Sequence, residues 1–447
     1  MIENLPSNAL AVVVVLGVMI VIHEFGHYAA AKYFGVRVEV FSVGFGKRLL
    51  GFKRGDTDYR ISLIPLGGYV KMSGENPMDE QSGDPGEFGS HPRWQRLIIA
   101  VAGPAMNIVL AIVLLTGVYM VHYEHRVYMD QPALIGWVEE GSVGAKEGFL
   151  PGDRIVKIDG IVNPTWEQAI PHILLNPNQP VEIAVQRGEQ VIRKIVRPES
   201  VGPNEVGDLG LEPDQPNIIT SLEEGMPAEL AGLQVGDEIL AVDGIPIRSV
   251  LPQLRKHLKE KREQAVQIAV RRDGKTRDFT VAAVKTEIEG QEFYRIGVAS
   301  IPTHVDKLPF RQAFLKSLET NKKFSLLIVE MAQKLVQRKV SLRQIDGPIG
   351  IAGAAGAAAR QEGWTPILLL TAAISLNLGV FNLFPIPILD GGLILMLLIE
   401  STIRRDINLV IKERIYQAAF VFLVLFAAMV IYNDIAKNLP GLAKYLP

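Results

Sequence analysis

His23-Glu24-Phe25-Gly26-His27 closes an apolar run at residues 9–22. A metal-binding spacing therefore lies inside a segment that reads as a membrane helix. Residues four apart share a helix face, so His23 and His27 can each offer an imidazole nitrogen to one zinc ion. Glu24 lies one step round the helix, where a carboxylate can take a proton from a water held by that zinc. Ionisable side chains cost a few kcal/mol or more at bilayer depth and are rarely found there without a role. The competing reading has two neutral histidines bonded to neighbouring carbonyls, with Glu24 reaching outward to the interface.

The 447 residues suffice for two or three domains, and a net charge of −2 gives no reason to expect nucleic-acid binding. A hydrophobic content of 48% suggests a chain divided between lipid and water. With no cysteine, disulfides and thiolate zinc ligands are excluded, which leaves His, Asp and Glu as metal donors. Four segments match the roughly 20 apolar residues needed to span a bilayer, at residues 9–33, 97–121, 367–384 and 416–432. The first reads as a retained anchor rather than a cleaved signal peptide. Arg37, Lys47, Arg48, Lys53, Arg54, Arg60, Lys71, Arg93 and Arg96 follow the first span, and Arg404, Arg405, Lys412 and Arg414 follow the third. Positive charge marks cytoplasmic loops, so both termini and residues 122–364 are expected on the outer side. At 1.5 Å per residue, His23 lies roughly 21 Å along the first helix from Ala9, nearer the cytoplasmic face.

Between the second and third spans the chain repeats with a period of 84 residues: Gly148-Phe149-Leu150-Pro151-Gly152-Asp153-Arg154-Ile155 is echoed by Gly232-Leu233-Gln234-Val235-Gly236-Asp237-Glu238-Ile239. Each copy reads as a turn, a strand, a tight Asp-Gly turn (Asp159-Gly160, Asp243-Gly244), a helix and further strands. This resembles the PDZ domain of bacterial envelope proteases, in which a peptide adds as a strand beside a groove. A spacer that keeps bulky proteins from the membrane is the alternative. Residues 309–340 read as an amphipathic helix or pair of helices on the outer membrane surface. The alanine-glycine stretch that follows, to residue 359, fits either a close helix contact or a re-entrant piece.

Two histidines leave a catalytic zinc short of its usual three protein ligands. Asn382-Leu383-Phe384-Pro385-Ile386-Pro387-Ile388-Leu389-Asp390-Gly391-Gly392 supplies a third in Asp390. Pro385 and Pro387 break the helix there, and unwound backbone at that depth exposes peptide groups able to bind another peptide. With Gly103-Pro104-Ala105-Met106-Asn107 on the second span and the tandem repeats between, these motifs resemble the site-2 protease family, in particular its RseP-type bacterial members. The resemblance covers nearly the whole chain. Many relatives carry histidine after LDGG where Leu393 stands here, a position not counted among the ligands.

The resemblance implies a multi-pass α-helical membrane protein with four transmembrane helices, a cytoplasmic β-hairpin or sheet and two outer PDZ domains. The expected divisions are residues 1–121, 122–205, 206–302, 303–363 and 364–447. It implies a Zn2+ endopeptidase of the bacterial inner membrane, with His23, His27 and Asp390 as ligands and Glu24 activating water. Asn382, with Pro385 and Pro387, would bind substrate. Expected partners are the lipid bilayer and single-span proteins such as an anti-sigma factor or leftover signal peptides, with a peptide or its carboxyl terminus at the PDZ domains. A helical substrate must be locally extended before attack. Residues 37–43 read as a strand ending in a turn at Gly44-Phe45-Gly46, and 60–64 and 68–72 read as further strands. One of these is expected to pair with the substrate, the alternative being a hairpin that only packs against the spans. The alternatives are a noncatalytic protein of the same fold that binds membrane helices, and a transporter with a broken helix.

Overall fold

A computed structural model of the chain describes residues 5–75, 82–215, 217–247, 250–288, 291–300, 303–361 and 363–438. It divides into two units, the second of which comprises Glu124–Val305 and Arg338–Ser341.

In the first unit, helix α1 (Leu5–Phe34) leads into a hairpin of β1 (Val38–Arg54) and β2 (Thr57–Met72). Helices α2 (Arg93–Val121), α3 (Phe310–Val336), α4 (Pro348–Arg360), α5 (Thr365–Asn382), α6 (Asp390–Ile403) and α7 (Leu409–Asn438) follow. Three described helices are long and apolar enough to cross a membrane: Arg93–Val121, Thr365–Asn382 and Leu409–Lys437. They correspond to the second, third and fourth expected spans. Side chains at residues 5–12 and 14 of α1 lie outside the described ones, and the start of the first expected span falls there.

Small residues let α2 pack closely on its neighbours. A Cβ on Gly26 would lie 2.3 Å from the Ala102 carbonyl oxygen, and one on Gly379 would lie 2.9 Å from that of Pro104. Such contacts drive helix association where lipid removes the hydrophobic incentive. Ala111, Leu115, Ala372, Leu376 and Val380 fill the seam between α2 and α5. Ser375 Oγ donates to the Asn107 carbonyl at 2.8 Å across the same seam.

The hairpin departs from the sequence expectation. The stretch at 37–43 does not end in a turn at Gly44-Phe45-Gly46; β1 continues to Arg54, with Gly44 at φ +92° and Gly46 at φ +86° absorbing the bend that a side chain would strain. Val40–Val43 face Asp58–Ile61 on one side and Lys71–Gly68 on the other. Both edges of that stretch are therefore occupied, and it cannot receive a further strand. Residues 68–72 form the edge nearest α1. Ala31, Val36, Val38, Met72, Phe88 and Ile99 make the buried cluster that seats the hairpin.

Helix α6 was not expected. Its 14 residues are too few to span a bilayer, and it begins directly after the proline break, so its sequence reads as a loop. It buries Gly391, Gly392, Met396, Leu397 and Glu400. Within residues 309–340 there is one helix, Phe310–Val336, rather than a pair, and the stretch after it contains α4, which packs against α1.

The second unit carries the repeat as two four-stranded sheets with the same order. One runs Ile161–Val162, Arg154–Ile158, Val181–Arg187, Gln190–Val196; the other runs Ile245–Pro246, Glu238–Val242, Ala265–Arg272, Lys275–Ala282. Helices Trp166–Leu174 and Val250–Lys261 occupy matching places. The polar ties are duplicated as well. Asp153 and Asp237, each 1% exposed, receive forked bonds of 2.6–2.7 Å from Arg187 and Arg272. Asp159 and Asp243 each accept a backbone N–H and a histidine, from Glu182 and His172 in one copy and from Gln267 and His257 in the other.

The Gln267 N–H, and after it the His257 ring, hold the Asp243 carboxyl down at about 2 from an ordinary 3.8. A carboxyl whose pKa falls on folding stabilises the fold above its unfolded value, and that contribution is lost as pH falls through the folded one. The thermal stability of this unit should therefore fall between about pH 4 and about pH 2. Asp243→Asn, which keeps the acceptor for Gln267, should flatten that part of the profile; an unchanged slope would contradict the assignment.

Candidate metal centre and catalytic site

The last turns of α1 bring His23 and His27 to the point where α2 crosses closest and α6 begins. His23 Nε2 lies 3.2 Å from Asp390 Oδ2 and His27 Nε2 lies 3.3 Å from Asp390 Oδ1. The two Nε2 atoms are 3.2 Å apart. Donors about 2.0–2.1 Å from a tetrahedral zinc stand about 3.3 Å from one another, so each of these separations has the length of one edge of a zinc site, with a different Asp390 oxygen facing each histidine.

The opposite side of each ring tests that fit. His27 Nδ1–H donates to the Ile99 carbonyl at 2.8 Å, which leaves Nε2 as a bare acceptor. The Asn107 amide lies 3.2 Å from His23 Nδ1, and its Oδ1 is buried without a partner. Amide oxygen and nitrogen are assigned from their bonding. With the two exchanged, His23 Nδ1–H donates to Oδ1, the orphaned atom is satisfied, and Nε2 is again bare. Two imidazole lone pairs and a carboxylate then converge within about 3.3 Å, an arrangement that repels itself unless a shared cation sits among them. Asn107→Leu should lower zinc affinity about 10- to 100-fold while leaving the three donors in place. Competition against a chelator of known affinity reads this directly, and unchanged affinity would remove Asn107 from the site.

Backbone geometry places Asp390. The break after α5 turns so tightly that a Cβ on Gly391 would lie 2.1 Å from the Phe384 carbonyl oxygen and one on Gly392 2.5 Å from that of Ile386. Ile388 sits at φ +95°. A β-branched residue is strained in that region, and such strain persists only where the surroundings enforce it. Here it turns the chain so that Asp390 opens α6 facing the two histidines.

Glu24 Oε2 accepts the Val70 N–H at 2.9 Å, which ties it to the edge of β2. A cavity of about 330 Å³ is lined by His23, Glu24, His27 and Asp390 together with Tyr69, Val70, Glu75, Asn382, Ile388 and Leu393. Asn382, the last residue of α5, thus shares the cavity with the donor set. Pro385 and Pro387 do not line it; they shape the break that Ile388 and Leu389 continue into the wall. Leu393 packs against the cluster beneath the hairpin. Asn107, Gly103 and Val70 carried no assigned role in the sequence. The Gly103–Asn107 stretch was conspicuous there, yet only the crossing of α1 over α2 brings Gly103 and the Asn107 amide to the two histidines.

The profile of peptidase family M50 matches residues 11–426. The Yersinia pestis protease RseP is 32% identical, over 96% of this chain and 98% of its own length. The Escherichia coli regulator of sigma-E protease RseP is 31% identical over 95% and 97%. The Haemophilus influenzae regulator of sigma E protease is 30% identical over 95% and 98%.

Proposed function

The chain belongs to peptidase family M50, a family of zinc metalloproteases, and from that premise we propose that it hydrolyses peptide bonds within the transmembrane helices of single-span substrates. The supporting observation is convergence: His23, His27 and Asp390 offer donor atoms within 4.8 Å of one another, and Glu24 and Asn382 line the same cavity. His23, His27 and Asp390 would hold the zinc. A zinc bound there would supply a lowered pKa for a water and polarisation of the scissile carbonyl. Glu24 takes the water's proton and delivers it to the leaving amine nitrogen. The Val70 N–H steadies the Glu24 carboxylate until then. Asn382, at the end of α5, would hold substrate backbone, with Pro385 and Pro387 keeping the break behind it open.

A helical substrate presents carbonyls already engaged in hydrogen bonds, so it must unwind. The segment at 68–72 offers the edge for it, since 40–43 is paired on both sides. The substrate would lie along that edge as an added strand.

Helix α1 would be a fourth span, and the positive loops would place residues 35–96 and 404–414 in the cytoplasm. The two repeats would be PDZ domains of residues 122–205 and 206–302 on the outer side, filtering substrates by size or reading a new carboxyl terminus. Residues 1–121, 303–363 and 364–447 would complete the membrane part, in a bacterial inner membrane. The E. coli relative is named as a regulator of sigma-E protease, which suggests an anti-sigma factor as one substrate class and a role in stress response, with signal-peptide remnants as another.

Mass spectrometry of the products from a reconstituted single-span substrate tests the reading. New termini should fall inside the apolar segment, toward its cytoplasmic end. Termini confined to the flanking soluble regions would argue against cleavage within the membrane. An intact substrate that co-purifies with the protein would favour a noncatalytic helix binder.

A further inference from the structure

Along the edge at 68–72, alternate N–H groups point away from the hairpin, as they do on any edge strand. Two of them are occupied by carboxylates. The Val70 N–H donates to Glu24 Oε2 at 2.9 Å, and the Met72 N–H donates to Glu75 Oε2 at 3.2 Å. Glu24 has a role in the chemistry; Glu75 has none so far, although it also lines the cavity.

The chain goes to some length to put Glu75 there. Ser73 is fixed on both sides, its N–H donating to the Arg37 carbonyl at 2.9 Å and its carbonyl accepting the Phe88 N–H at 2.7 Å. Gly74 then turns the backbone at φ +65°, where a Cβ would lie 2.9 Å from that of Glu87. The turn brings residue 75 back toward the strand it has just left, so its carboxylate reaches the amide three residues earlier. A carboxylate oxygen bonded to an outward N–H occupies the place where the carbonyl of an added strand would bind.

We propose that Glu75 is a specificity-determining residue that stands in for a substrate carbonyl at the Met72 amide and must be displaced before a substrate strand can pair with residues 68–72. This rests on the strand-pairing reading above. Glu24 is drawn to the chemistry once substrate and metal are in place, which frees the Val70 N–H without competition. Glu75 has no such alternative, so its bond opposes pairing. A segment that unwinds readily can displace it, and a stably helical one cannot. The carboxylate also covers an edge that would otherwise invite indiscriminate pairing.

The test uses the full chain in proteoliposomes with a single-span substrate. Glu75→Ala should lower KM about tenfold, the scale of one charged hydrogen bond, with kcat little changed. Glu75→Gln keeps a weaker acceptor and should fall between. Without substrate, amide exchange in peptides covering 68–75 should be faster in Glu75→Ala than in the unaltered chain. An unchanged or raised KM in Glu75→Ala would overturn the proposal, as would a loss of kcat together with thermal stability, which would mark Glu75 as merely structural. The pairing itself is read separately, as exchange protection of 68–75 when substrate is bound to the Glu24→Gln protein. Protection there with no effect of Glu75→Ala sinks the proposal alone; no protection sinks the pairing and the proposal with it.

Discussion

Gly103→Ala should cost the protein its zinc and, with it, about a hundredfold or more in cleavage rate. A Cβ at position 103 would lie 2.2 Å from His27 Nε2 and 2.5 Å from its Cε1. The ring cannot give way without losing either its Nδ1–H bond to the Ile99 carbonyl or its place opposite Asp390. Helix α2 itself should not suffer, because alanine is the better helix former by about 1 kcal/mol. Gly117→Ala is the matched control on the same helix, with nothing beyond its chain neighbours and its own helix backbone within 4 Å of its added methyl. Zinc per chain, helix content and cleavage rate should all stay near the original in that control, whereas Gly103→Ala should keep the helix and lose the other two. Normal zinc binding by Gly103→Ala would mean that His27 is not a ligand.

Glu24→Gln should nearly abolish cleavage with zinc retained, a loss of about a hundred- to ten-thousandfold in kcat by the usual size of general acid–base contributions. The amide keeps the size of the side chain and can still accept the Val70 N–H through its oxygen, so the hairpin edge stays in place. What it lacks is the capacity to accept a proton from water and return it to the amine. Its metal content should match that of the unaltered chain, because Glu24 is not among the three donors. Substantial residual cleavage would move the proton-transfer role to another group in the cavity. Equal loss of zinc and activity would mean instead that Glu24 helps to hold the metal.

These two residues differ in how they could be found. Glu24 was legible because the four-residue spacing of His23 and His27 fixes a helix face and puts the carboxylate beside it. Asp390 was legible because it is the first carboxylate after a proline-broken apolar segment. Gly103 was not, since a glycine in an apolar helix means nothing until another helix crosses it, and His27 is 76 positions away in the chain. Asn107 and Val70 depend in the same way on contacts 84 and 46 positions apart. The strands of the hairpin announced themselves by alternation, but alternation does not say which neighbour each one takes. Pairing of 40–43 on both sides therefore removes the first of the three candidate strands, and leaves the open edge at the third, 68–72. Helix α6 went unread because a short apolar helix after a proline break carries neither a cap signal nor the length of a span. The repeat, by contrast, was visible as a recurring pattern, and its sheets and helices recur at corresponding places; the arginine and histidine partners of its carboxylates were not legible, because they come from strands and helices distant in the chain.

The most direct test of the central claim is a zinc titration of the metal-stripped, full-length protein in proteoliposomes, with cleavage of a single-span substrate as the readout. Activity should be absent after chelation, return linearly and saturate at one zinc per chain, and fail to return in Asp390→Ala at the same zinc concentration. Cleavage that survives stripping, or that returns equally well without Asp390, would contradict a catalytic zinc held by His23, His27 and Asp390.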